Sequence, residues 1–268
     1  MPAVELSDAA ARADDLALLL EAAAEAGAIA MRYFRKSPEV WMKGGRSPVS
    51  EADYAVDTFL RDTLTAARPD YGWLSEETAD TPERLSAHRL FVVDPIDGTR
   101  GFLDGGDQWC VSVAVVEQGA PLAGVLQCPA RKERFWAERG GGSFLDGARL
   151  RVVEIGHTPH VGGPKPMIDR LQAGRSGDIS RVAYVPSLAY RIAMIAAGRM
   201  DATFVKPNSQ DWDLAAADLI LREAGGMICN ATGAAPSYGG ETTAHPALAA
   251  GSGELLRTMT GLLSGLAE

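Results

Sequence analysis

The chain has 268 residues, 46% of them hydrophobic and 23% charged, which is enough apolar material for one large core or two closely packed ones. A formal charge of −9 argues against a surface built to bind nucleic acid or an anionic membrane nonspecifically. No apolar stretch reaches the ~18 uncharged residues of a membrane span. Residues 1–15 are acidic and alanine-rich, unlike an export signal, and Cys110, Cys128 and Cys229 lack ligand-like spacing, so a cytoplasmic protein with reduced thiols is expected.

Leu16, Leu19, Leu20, Ala23, Gly27, Ala30, Met31 and Phe34 fall on one helical face, which predicts an amphipathic helix over 14–35. A loop with two prolines and the pair Gly44-Gly45 follows, to residue 49. Ser50-Glu51-Ala52-Asp53 reads as a capping box opening a second helix, with Val56, Phe59, Leu60 and Leu64 buried and an end before Pro69. Residues 71–75 form a short apolar segment ending in Glu76-Glu77, and 89–94 a strand. β-rich runs at 111–116 and 122–128 are joined by a Gly-Ala-Pro turn, with 134–138 as a third antiparallel strand.

Residues 154–181 are polar, with scattered glycine and proline, and show no periodicity. A domain junction is placed near 150, giving an N-terminal α+β part (1–150) and a C-terminal α/β part (151–268). In the second part a helix is expected over 187–198, a strand over 202–205 and a helix over 213–223 stopped by Gly225-Gly226. Strands at 227–230 and 247–250 and a last helix at 254–263 complete an alternation that predicts α/β layering.

The most informative stretch is Phe91-Val92-Val93-Asp94-Pro95-Ile96-Asp97-Gly98-Thr99. Two carboxylates three apart on a turn after a buried strand cannot both be packed away without a cation, and a hard divalent ion with oxygen ligands fits best. Gly98 lets backbone approach a ligand, and the N–H groups of Gly98 and Thr99 can face an anion. Carboxylates for metal beside amides for phosphate is the layout of metal-dependent phosphoryl transfer. The plainer alternative is an Asp-Pro-rich surface turn. Asp213 stands where a helix begins, so by itself it reads as a cap on backbone amides, and Glu76 reads as a charged strand end.

Together, Glu76-Glu77, the 94–99 stretch and Trp212-Asp213 with its following alanines resemble the signature motifs of the inositol monophosphatase family, in order and over most of the chain. The resemblance implies a layered αβαβα sandwich, α+β or α/β in class, of the inositol monophosphatase and fructose-1,6-bisphosphatase type. It implies a Mg²⁺-dependent, lithium-inhibited phosphomonoesterase with two or three Mg²⁺ per active site, forming a homodimer. Glu76 and Asp94, with the Ile96 carbonyl, would hold one ion, and Asp94, Asp97 and Asp213 a second. Gly98, Thr99, Asp97 and Asp213 would bind the phosphate, while Glu76 and Thr99 orient a metal-activated water. Asp53 would hold Thr99, although it reads equally as the acid of the capping box. Lys43 is similar to a family lysine on a loop near a third metal, and reads about as well as a solvated side chain.

The likeness weakens at Phe204-Val205-Lys206-Pro207-Asn208, where Lys206 stands about where inositol-specific members carry a glutamate. Pro186-Ser187 likewise replaces a usual Gly-Ser. A cation suits an additional phosphate better than a neutral polyol, and family nucleotidases carry a basic residue in this region. The expected substrate is a small phosphorylated metabolite, and the reading leans to a 3′(2′),5′-bisphosphate nucleotide. Inositol 1-phosphate is the alternative, with histidinol phosphate and fructose 1,6-bisphosphate behind it; a merely solvated Lys206 leaves them open. A regulatory binding role in the transcription machinery is the alternative of another class. Neither nucleic acid nor membrane is an expected partner.

Overall fold

The structure, a computed structural model, describes residues 2–43, 47–156, 158–174 and 177–264, the side chains of 2–11, 43 and 47 excepted. Helix α1 (Pro2–Tyr33) buries Leu16, Leu19, Ala23 and Ala30, while Met31 is exposed and Leu20 half-buried. The expected loop instead contains a hairpin, β1 (Val40–Lys43) with β2 (Ser47–Ser50), registered Val40 to Ser50 and Lys43 to Ser47. Val40 and Trp41 favour extended backbone, and Pro48 is tolerated because a two-stranded hairpin consists only of edges. Helix α2 (Glu51–Ala67) opens at Ser50, whose N–H and hydroxyl donate to Asp53 Oδ2 at 2.8 and 2.7 Å. It stops where Arg68 precedes Pro69, a position disfavoured for helix.

Next come β3 (Gly72–Ser75), β4 (Arg89–Asp97), the short helix α3 (Thr99–Leu103), β5 (Cys110–Glu117), β6 (Ala120–Cys128), β7 (Glu133–Glu138), β8 (Gly142–Leu145) and β9 (Ala148–Arg149). These strands form one sheet in chain order, in which β3 and β4 are parallel and every other pair is antiparallel. Both faces of its centre are covered, so residues 90–93 of β4 and 113–116 of β5 are unbroken apolar runs instead of alternating. Phe91 and Val93 pack on the α1/α2 side, and Leu90 and Val92 on the other.

The segment without periodicity holds β10 (His160–Gly162), α4 (Lys165–Ala173) and β11 (Ser180–Arg181). Strands of two or three residues are too short to show a repeat, which is why they escape pattern reading. There follow α5 (Leu188–Ala196), β12 (Ala202–Val205), β13 (Ser209–Gln210), α6 (Asp211–Glu223), β14 (Met227–Cys229), β15 (Ala244–His245), β16 (Leu248–Gly251) and α7 (Gly253–Leu263). The second sheet runs β11-β10-β12-β16-β14.

Helices α5 and α6 lie between the two sheets, α1 and α2 cover the outer face of the first, and α4 and α7 that of the second. This is the expected αβαβα sandwich. The run Ala215-Ala216-Ala217 lets α6 lie almost against the first sheet: a Cβ placed on Gly124 would sit 2.9 Å from Ala216 Cα. Among the described residues no helix is long and apolar enough to cross a membrane.

Candidate active site

The site forms where β4 stops obeying the ladder. Asp94 lies opposite Ser112 and Asp97 opposite Cys110, so three steps on β4 match two on β5. The bulge buries both carboxylates, and Asp94 Oδ1 accepts the Ile96 N–H at 3.0 Å. Gly98 then turns the chain into α3 at φ +94°, a left-handed conformation that costs other residues energy. A Cβ at Gly98 would also lie 3.0 Å from the Ser187 nitrogen and 3.1 Å from its Cα.

Asp97 reaches across to the start of α5. It accepts the Ser187 hydroxyl at 2.5 Å, the Ala189 N–H at 2.6 Å and the Leu188 N–H at 3.2 Å, and so lies at the positive end of that helix. Asp213 sits in the first turn of α6 and accepts the Gln210 N–H at 2.7 Å. Helix α6 begins at Asp211, two residues earlier than the sequence suggests. Asp211 is buried and accepts His245 Nε2 and the Gly239 N–H, each at 2.7 Å, which ties the helix start to the 239–245 segment.

Asp94, Asp97 and Asp213 each offer a carboxylate oxygen, and these oxygens lie within 4.8 Å of one another. Burial raises all three pKa values. For Asp94 the charges of Glu76, Asp97 and Asp213 add to it, placing it well above the carboxylate range. For Asp213 burial and the charge of Asp97 push the value up to about 7. Asp97 is raised by burial against the hydrogen bonds of Ser187 and the α5 amides, which stabilise its anion. Crowded, buried like charges of this kind are a site for a cation.

Glu76 lies outside that group of three. Its N–H donates to the Val93 carbonyl at 3.2 Å, and its charge is the first neighbour felt by Asp94 after burial. Thr99 Oγ1 lies 3.2 Å from Asp53 Oδ1 and 3.0 Å from the Ile96 carbonyl. Asp53 thus caps α2 with one oxygen and meets Thr99 with the other, and burial lifts its pKa against the hydrogen bonds of Ser50 and Thr99. Lys206, just past β12, lines a cavity of about 380 Å³ together with Pro186, Leu188, Arg191 and Ser209. The side chain of Lys43 lies outside the described residues.

Sequence reasoning missed three groups. Ser187 carried a usable signal, a hydroxyl residue before a helical run, but its hold on Asp97, ninety positions earlier, is purely tertiary. Asp211 carries no sequence signal of its own, since its partners His245 and Gly239 lie about thirty residues later. Arg191 was hidden inside a helical pattern.

A five-layer sandwich with buried acids gathered at a strand end and two helix starts fits a metal-dependent phosphatase. The sequence model of the inositol monophosphatase family matches residues 12–263. An inositol-1-monophosphatase from Mesorhizobium japonicum is 36% identical over 236 residues, covering 83% of this chain and 88% of that protein. A histidinol-phosphatase from Mycobacterium tuberculosis is 34% identical over 246 residues, covering 86% and 93%. The crystal structure of the extragenic suppressor protein suhB from Bartonella henselae superposes with a TM-score of 0.80 at 28% identity, covering 93% of this chain and 98% of that one. The chain belongs to the inositol monophosphatase family and is a phosphoric monoester hydrolase.

Proposed function

We propose that the protein is a Mg²⁺-dependent, lithium-sensitive phosphomonoesterase, a cytoplasmic homodimer, whose substrate is a 3′(2′),5′-bisphosphate nucleotide. The observation that carries the metal reading is the convergence of Asp94, Asp97 and Asp213 on one small space, with Glu76 beside it. An all-oxygen, multiply anionic donor set suits Mg²⁺ better than softer ions. Glu76, Asp94 and the Ile96 carbonyl would hold one ion, and Asp94, Asp97 and Asp213 the other. When bound, Mg²⁺ supplies a Lewis acid for phosphoryl oxygens and lowers the pKa of water.

The chain's own groups do the rest. Thr99 has one hydroxyl proton; donated to Asp53, it leaves the Thr99 oxygen free to accept from the attacking water. Glu76 would orient that water together with Thr99. The amides of Gly98 and Thr99 fix the phosphate in line, helped by the turn that only glycine takes without strain. Residues 1–150 carry most of this machinery, and 151–268 carry Asp213 and the substrate-selecting residues.

Lys206 supports the nucleotide reading, since its charge already acts on Asp213 and stands at the cavity beside the acids. Inositol 1-phosphate is the second reading, favoured by the 36% identity to an inositol-1-monophosphatase. The deciding experiment is a kcat/KM panel of adenosine 3′,5′-bisphosphate, inositol 1-phosphate, fructose 1,6-bisphosphate and histidinol phosphate, in Mg²⁺ and in EDTA. The bisphosphate nucleotide should lead, and only with Mg²⁺. Turnover that survives EDTA overturns the metal reading, and a lead by another substrate overturns the nucleotide reading.

A further inference from the structure

The two groups assigned to orient the water, Thr99 and Glu76, stand on different elements, yet the buried face of one helix reaches both. Asp53 on α2 accepts the Thr99 hydroxyl. One turn further on, Asp57 lies on the same buried face and reaches the segment that carries Glu76. Its Oδ1 accepts the Ser75 hydroxyl, and its Oδ2 accepts the Thr78 hydroxyl at 2.7 Å. Ser75 and Thr78 are the residues on either side of Glu76-Glu77.

The bonds around Asp57 all run one way. Trp73 Nε1 donates to Thr78 Oγ1 at 3.2 Å, and the Glu77 N–H donates to Ser75 Oγ at 3.4 Å. Each hydroxyl therefore accepts from an N–H and gives its single proton to the carboxylate, which when ionised only accepts. An amide at position 57 would aim donors at a hydroxyl whose proton already points inward, so the network calls for a carboxylate and not merely a polar residue. The 75–78 segment is an arch pinned at both feet. Its other side is fixed by the sheet: Ser75 stands opposite Val93 in the parallel ladder, and the Glu76 N–H donates to the Val93 carbonyl at 3.2 Å, one residue before Asp94. One bond would be enough to fasten β3 to α2. Two that straddle the acid set its position as well.

We infer that Asp57 is a positioning residue for the hydrolysis: through Ser75 and Thr78 it fixes Glu76, as Asp53 fixes Thr99, so that α2 sets the spacing of the two groups that flank the water. The inference rests on the proposed function in taking Glu76 as a metal ligand and water-orienting group. Asp57 acts at one remove, through the arch.

The test uses near-isosteric changes and compares them with loss of the Glu76 charge itself. Mn²⁺, a hard ion that takes the same oxygen ligands, is titrated calorimetrically into the metal-free protein. Thr78→Val should weaken one class of Mn²⁺ site about tenfold, as Glu76→Gln does, and Thr78→Ser should restore it. Asp57→Asn and Ser75→Ala should act in the same direction. With Mg²⁺ and the leading substrate of the panel, Thr78→Val should lower kcat about tenfold while KM stays within about twofold, since the phosphate amides of Gly98 and Thr99 are untouched. Added to Glu76→Gln, it should lower kcat no further, because it acts through that side chain. Losses that multiply in the double variant overturn the inference. So does a set of variants that loses only stability in urea, with Mn²⁺ affinity and kcat unchanged. A wild-type protein that binds Mn²⁺ but hydrolyses none of the panel refutes the proposed function and leaves the Mn²⁺ comparison to decide the inference. One that binds no Mn²⁺ overturns both.

Discussion

In metal-free buffer the protein should lose stability as the pH rises from 5 to 7.5. The acid cluster is the cause. Asp213 has an unfolded value near 3.8 and a folded value of about 7, so between them the native state holds more protons than the unfolded chain. Stability therefore falls through this window. At 1.36 kcal/mol per pKa unit, Asp213 alone contributes a loss on the order of 2–3 kcal/mol from pH 5 to 7.5. Asp94 and Asp97 are raised for the same reason and act in the same direction. Asp80 and Glu133, whose values are lowered by Arg84 and by Arg199 respectively, finish titrating below this window and do not oppose it. Mg²⁺ at a hundred times its dissociation constant should restore about 2.7 kcal/mol at pH 7.5, and less at pH 5, where the ligands are protonated. Urea unfolding followed by circular dichroism, at four pH values in EDTA and in Mg²⁺, measures both effects. A metal-free stability that stays level or climbs across the window would refute the reasoning.

Asp94→Asn should abolish turnover, since this carboxylate is assigned to both ions, yet raise metal-free stability at pH 7.5 by about 1 kcal/mol through relief of repulsion; activity assays and urea midpoints report the two halves. Gly98→Ala should cost about 2–3 kcal/mol, from the left-handed backbone and the forced approach to Ser187, read as a shifted urea midpoint. Lys206→Glu should move the kcat/KM ratio from adenosine 3′,5′-bisphosphate towards inositol 1-phosphate, and an unchanged ratio removes Lys206 from substrate selection. Millimolar Li⁺ should inhibit in a Mg²⁺-dependent assay and equal Na⁺ should not; equal responses would show that the acids do not discriminate small cations as proposed.

The long elements were legible because each obeys one period over many residues. Leu16, Leu19, Ala23 and Ala30 announce α1, and the unbroken run Phe91-Val92-Val93 announces a strand covered on both faces. Of the site, Asp94, Asp97 and Gly98 stood out because acids and a glycine interrupt an apolar strand, an arrangement that packing alone never favours. Partnership was not legible. Nothing near Asp97 says that Ser187 and two α5 amides will hold it, because hydrogen bonds across ninety residues leave no local spacing. Short elements such as β10, β11 and β13 also stayed hidden, being stabilised by the strands they pair with and not by their own pattern. The start of α6 was misplaced by two residues because Asp211 and Asp213 are both acceptable first-turn acids, and only the contacts of Asp211 with His245 and Gly239 decide between them.

One carboxylate, Asp97, belongs to two structures at once. It closes the front end of a helix in the middle layer, and it is also a wall of the chamber where the ions are expected. Any change in the electrical load of that chamber is therefore felt as a change in the grip on α5, and through α5 in how firmly the two sheets are held together. Filling the chamber and tightening the sandwich become a single event, so a loaded enzyme should resist proteolysis between its layers better than an empty one.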